Sequence, residues 1–163
     1  MGSQNRIIPV VVLVIIFVVL QLAFLATDCR QTPLKVAEHF TRDYFYLDAD
    51  MQKYLCQDLA VDGETVDNYL HQKSVEASQR GLPTKYLRHM FTRLHFKTIH
   101  QDDTTAEMHV QGTTRVAINP VFMVIGKFFF IGKDYPVEAT LDLVKEESGW
   151  RVCGTPFGLG SAE

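Results

Sequence analysis

Residues 7–26 read IIPVVVLVIIFVVLQLAFLA, an apolar run without one charged side chain. About twenty such residues, rising 1.5 Å each as a helix, match the hydrocarbon core of a bilayer, and no other stretch constrains the chain as strongly. The run is longer than the apolar region of about 7–15 residues in a cleavable leader. Its end offers only Ala23-Phe24-Leu25-Ala26, whose small residues are wrongly spaced for processing, and Asp28 before Cys29 suits lipid attachment poorly. The expectation is a retained signal anchor. It divides the chain into a cytoplasmic head at 1–6, a transmembrane anchor at 7–26, a connector at 27–32, a soluble domain at 33–154 and a flexible tail at 155–163.

Flanking charges do not orient the anchor, since Arg6 on one side faces Arg30 and Lys35 on the other. The very short head favours a cytoplasmic N-terminus. Cys56 and Cys153 are far apart in sequence, as a fold-locking disulfide would be, and such a bond persists outside the cytosol. Two buried reduced thiols are the alternative, and Cys29 is left over. These features set the expected localisation: a bacterial inner membrane, crossed once, with the N-terminus cytoplasmic and the C-terminal domain periplasmic. The lipid bilayer is then the first partner.

A net charge of −3 and a pI near 6.1 lack the basic footprint that nucleic-acid binding needs, so no nucleic acid is expected. Roughly 130 residues follow the run, enough for one core and too few for two. Thr32-Pro33 opens a first helix with a capping hydroxyl and a first-turn proline. Ala37, Phe40, Tyr44 and Leu47 then recur at helical spacing, while Glu38, His39, Arg42 and Asp43 fall off the stripe. A short second helix is expected over 50–57, with Met51, Tyr54 and Leu55 inward. A third follows Asp62-Gly63, carrying Val66, Tyr69, Leu70 and Val75 before Gly81-Leu82-Pro83 stops it.

From Met90 the period changes to two. Leu94, Phe96 and Thr98 share one face of a strand and Arg93, His95 and Lys97 the other. After a turn at Gln101-Asp102-Asp103, a second strand turns Ala106, Met108, Val110, Val116 and Ile118 inward. Val137, Ala139, Leu141 and Leu143 alternate with polar residues in another strand, which Glu147-Ser148-Gly149 turns into Trp150-Arg151-Val152-Cys153. The fold class is α+β, helices first and an antiparallel sheet after.

This element order, with the closing stretch Leu141-Asp142-Leu143-Val144-Lys145-Glu146-Glu147-Ser148-Gly149-Trp150-Arg151-Val152, resembles the NTF2-like (cystatin-like) α+β cone superfamily. The resemblance covers about 32–154 and implies three helices packed on a curved antiparallel sheet. Members include small-molecule isomerases and dehydratases, dimerising adaptors and periplasmic domains of membrane assemblies. Such a fold does not choose among these uses.

The polar residues offer little chemistry of their own. His100 with Asp102 or Asp103 lies on the inward parity of the first strand but at a hairpin turn, where Asp serves local hydrogen bonds. His95 and His109 share the outer parity of adjacent strands without a third metal ligand at a fixed spacing, His39 sits on a wet helix face, and His71 and His89 fall in no pattern. No C-x-x-C-H and no glycine-rich phosphate loop occurs, so no cofactor and no metal is expected. No catalytic residue is assigned.

One segment stands apart because both of its parities are apolar: Val121, Phe122, Met123, Ile125, Phe128, Phe129, Phe130 and Ile131. Either helices and the cone interior bury it, or a partner covers it. The favoured expectation is a non-catalytic, single-pass accessory or assembly subunit, docking on other membrane or periplasmic subunits through this segment and the sheet face. Self-association as a homodimer is a further option. The alternative is an apolar, lipid-like ligand carrier, or an isomerase- or hydrolase-type enzyme, with a pocket lined by Phe40, Tyr44, Phe96, Met108 and Trp150.

Overall fold

A computed structural model of the chain describes residues 4–28, 31–60, 64–116 and 133–160, with the side chains of the first segment described at 9–21. Two compact units result, Met1–Gln31 and Thr32–Glu163. Helix α1 (Gln4–Asp28) belongs to the first. Among the described residues, no helix is long and apolar enough to cross a membrane. This overturns the expected single-pass placement in a bacterial inner membrane with a periplasmic C-terminal domain.

The second unit is α+β. Helix α2 (Pro33–Tyr46) begins as its sequence dictates: the Thr32 hydroxyl accepts from the Lys35 N–H at 3.3 Å, and Pro33 occupies the first turn. It ends at Leu47, whose left-handed φ of 54° turns the chain out of the helix. Its inner stripe of Val36, Ala37, Phe40, Thr41 and Tyr44 is buried. Over 50–57 a 3-10 turn at Ala49–Tyr54 and a single α-helical turn, α3 (Gln57–Ala60), replace the expected second helix, because Asp48 caps the turn through the Asp50 N–H. Met51 and Leu55 are inward as expected. Helix α4 (Glu64–Gln79) buries Val66 and Ala77, but Val75, expected inward, is exposed.

Strands β1 (His89–Gln101), β2 (Thr105–Val116), β3 (Tyr135–Glu146) and β4 (Gly149–Cys153) form one antiparallel meander in sequence order. Register explains the alternation. Phe96, Val110 and Ala139 lie abreast, as do Thr98, Met108 and Leu141, and this face meets α2. Lys97, His109 and Thr140 lie abreast on the other face. Val116, expected inward, is exposed, and Ile118 lies outside the described residues. Two irregularities interrupt β1, between Phe91 and Arg93 and between Thr98 and His100. At the first of them Gly112 lets the strands close up, since a Cβ there would stand 2.8 Å from the Arg93 carbonyl oxygen.

At the other edge, Leu55 forms a parallel bridge with Val152, and the Cys56 N–H donates to the Val152 carbonyl at 2.9 Å. This contact brings Cys56 and Cys153 to disulfide distance, with their Cα atoms 5.2 Å apart. Residues 155–160, expected to be part of a loose tail, instead pack against the core. Phe157 stacks on Tyr44 with centroids 5.0 Å apart and meets Phe45 edge-on at 5.2 Å, while Pro156 and Leu159 are buried. Phe157 holds a φ of 53°, a conformation that bulky residues rarely adopt, so its ring contacts offset a local backbone cost.

Inside α2, the Thr41 hydroxyl is fully buried with no hydrogen-bond partner among the described residues. An unsatisfied buried hydroxyl opposes folding, so Thr41→Val is expected to raise stability by about 1 kcal/mol. Urea denaturation of the two proteins checks this; a loss of stability in the valine variant would show that the hydroxyl has a partner.

Candidate functional site

Packing α4 across the open end of the sheet leaves a cleft of about 350 Å³. One wall is a single face of α4, where Tyr69, Lys73 and Glu76 recur at helical spacing, continued by Arg80 just past its end. Opposite stand His89 at the start of β1, Thr114 near the end of β2, and Tyr135 to Val137 opening β3. Tyr44, Phe45 and Leu47, from the end of α2, complete the lining.

Stacked rings and one hydroxyl hold the aromatic side. Tyr44 and Tyr69 stack with centroids 4.8 Å apart. The Tyr44 hydroxyl donates to the Phe157 carbonyl at 3.1 Å. Burial pushes both phenols above their ordinary range, so both remain protonated. The packed tail thus fixes the inner wall of the cleft.

The opposite side carries a relay. His89 Nδ1 lies 3.2 Å from the Thr114 hydroxyl, and that hydroxyl lies 3.4 Å from the Tyr135 carbonyl. A carbonyl can only accept, so with Thr114 donating to Tyr135, His89 is assigned as the Nδ1–H donor to Thr114. In the tautomer so assigned, Nε2 carries the lone pair. Burial, and then the charge of Lys73, hold the pKa of His89 below its ordinary value. The Tyr135 ring meets the imidazole edge-on at 5.3 Å and keeps it in place.

Charge on the α4 wall is organised around one carboxylate. Glu76 accepts from Lys73 at 2.9 Å and from Arg80 at 2.7 Å, and the hydrogen bond from Lys73 holds its carboxyl below the usual range. Two cations therefore share one anion. The Lys73 ammonium also lies 5.9 Å from the centroid of the Tyr69 ring.

This arrangement suits binding better than covalent chemistry. Thr114 pairs with a histidine, but its side chain is buried and its proton is committed to a carbonyl, which disarms it as a nucleophile. A second cleft of about 680 Å³ runs between α4 and residues 158–160, lined by Asp58, Asn68, His71 and Gln72. These four side chains are all exposed, while Thr65 and Tyr69 on the same surface are half-buried.

The residues singled out from the sequence are dispersed. Val121, Phe122, Met123, Ile125, Phe128, Phe129, Phe130 and Ile131 lie outside the described residues. Phe40, Met108 and Trp150 are buried in the core and Phe96 packs against it, so these four fill space where a pocket was expected. Of that set, Tyr44 lines the cleft. His100, expected on the inner parity, pairs with Glu107 beyond the second irregularity of β1 and is exposed. Asp102 serves the hairpin, accepting from the N–H groups of Thr104 at 2.8 Å and Thr105 at 2.6 Å, which hold its carboxyl well below the usual range. His95 and His109 sit diagonally on adjacent strands, and His109 Nε2 lies 3.2 Å from Glu138. Among the described residues, no group of three His, Cys, Asp or Glu side chains could hold a metal.

No family model, curated protein or solved structure matches this chain. Its α+β architecture does not by itself identify the NTF2-like superfamily. The geometry of the cleft is therefore the ground for a functional reading.

The cleft residues left little trace in the sequence. Lys73 and Glu76 went unmarked there, although their spacing from Tyr69 puts them on its helical face. His89, Thr114 and Tyr135 meet only through strand register, across separations of 25 and 21 residues.

Proposed function

We propose that residues 32–160 form a non-catalytic binding domain that takes a small organic molecule in the cleft between α4 and the mouth of the sheet. One observation carries this reading: the relay from His89 through Thr114 to Tyr135 orients a half-buried imidazole on the wall of a concave, aromatic-lined site. Small-molecule sites have this character, apolar surface with a few convergent polar groups, and their volumes begin near 300 Å³. Helices first and an antiparallel meander after are in keeping with an NTF2-like architecture, whose interior serves ligands in other proteins. The cysteine pair favours a compartment where disulfides persist.

A thermal-shift screen of the full chain against a library of small organic acids, amides and alcohols tests the reading. A ligand at about 100 times its Kd adds about 2.7 kcal/mol of stability, a rise of several degrees in Tm. Such rises are expected, and they should shrink in Lys73→Met and in His89→Asn. Rises that persist unchanged in both variants would move binding elsewhere.

A further inference from the structure

The polar groups on the cleft walls specify the chemistry of its occupant. The α4 wall presents Lys73 and Arg80 against the single carboxylate of Glu76, a surplus of one positive charge, and Glu76 already accepts from both cations. Lys73 and Glu76 are only about a third exposed, at 34% and 33% of their side-chain surface, so this ion pair sits inside the cleft, while the unbalanced charge of Arg80 stands nearer its entrance. A cationic ligand meets repulsion there. A neutral one leaves the surplus uncompensated, and a monoanion balances it.

The opposite wall asks for a different group. With Nδ1–H committed to Thr114, His89 offers Nε2 as an acceptor and needs a donor from the ligand. Carboxylates carry no donor, so the anionic head alone does not satisfy this wall. The rings of Tyr69 and Tyr135 supply flat apolar surface on either side.

Resting on the binding-domain reading above, we propose that the cleft selects a small hydroxy acid with an aromatic or apolar body. Its carboxylate is received by Lys73, its hydroxyl donates to His89 Nε2, and its body lies against Tyr69 and Tyr135. Arg80, more exposed at 60%, adds long-range attraction at the entrance. Specificity comes from both walls: an analogue lacking the hydroxyl leaves the His89 acceptor unmet, and one lacking the charge leaves the α4 wall unbalanced.

Isothermal titration of the full chain with 3-phenyllactate, 3-phenyllactamide and 3-phenylpropanoate tests each part. The hydroxy acid is expected to bind about tenfold or more tighter than the amide, the difference one charge-assisted hydrogen bond makes, and several-fold tighter than the acid without the hydroxyl. Lys73→Met should abolish the first difference and leave the second; His89→Asn should do the reverse. Circular-dichroism melts of both variants establish that each is folded. Equal affinity for 3-phenyllactate and its amide would overturn the anion assignment and leave the cleft as a binding site. No heat from any of the three at millimolar concentration, together with a silent thermal-shift screen, would overturn both readings.

Discussion

Truncation of Phe40 to alanine is expected to cost about 3–5 kcal/mol, much of the 5–15 kcal/mol typical of a whole domain. Phe40 is fully buried on the inner stripe of α2, with its ring 6.2 Å from Tyr44 and 6.3 Å from Phe157 between ring centroids. It therefore ties the first helix of the domain to its C-terminal turn. Removing the ring opens a cavity that α2 cannot close without pulling away from Met108, Leu141 and Val152 in the same cluster. Urea denaturation followed by circular dichroism gives the value. Phe40→Leu, which keeps most of the volume, should lose far less; equal losses from both variants, or less than about 1 kcal/mol from the alanine, would mean the ring is not packed as described.

Double replacement of Cys56 and Cys153 by alanine carries the second large effect. The pair links residues 97 apart, joining the middle of the helical half to the last strand. A crosslink over such a span restricts the unfolded chain strongly, and its loss typically costs about 2–5 kcal/mol. The same drop should follow in the unsubstituted chain on reduction with a strong thiol and should be absent when the double variant is reduced. Labelling with a thiol reagent under native and denaturing conditions, before and after reduction, counts the cysteines directly. A chain whose stability does not change on reduction would contradict the bond.

Much of the architecture follows from local pattern. Thr32 and Pro33 start α2 where a capping hydroxyl and a fixed φ demand it, and the stripe of Ala37, Phe40 and Tyr44 is its buried face. The alternation of Ala106, Met108 and Val110 sets the inner face of β2, and Leu141 and Leu143 that of β3, because a period of two leaves no other arrangement once one side is buried. Patterning fails where tertiary contacts override it. His100 changes face because β1 is irregular after Thr98, which parity counted along the chain does not register. Residues 155–160, rich in glycine and proline, read as a loose tail, yet Phe157 and Leu159 find the core and the Tyr44 hydroxyl anchors the turn.

The apolar run at 7–26 illustrates a different limit. Length and composition set a transmembrane expectation there, whereas among the described residues no helix is long and apolar enough to cross a membrane. The cleft was less legible than any helix or strand. Its aromatic side lay partly within the helical stripes through Tyr44 and Tyr69, but its polar side depends on β1, β2 and β3 aligning His89, Thr114 and Tyr135. A histidine that falls in no pattern along the chain can still become the most constrained one in the fold.

The most direct test of the cleft as a binding site is chemical-shift mapping of the isotopically labelled full chain by NMR during titration with 3-phenyllactate and with hits from the thermal-shift screen. The binding-domain reading predicts saturable shifts concentrated at Tyr69, Lys73, His89, Thr114 and Tyr135, with His89 ring resonances among the most affected. Shifts confined to the surface around Asp58, His71 and Gln72, or none at saturating concentration, would contradict it.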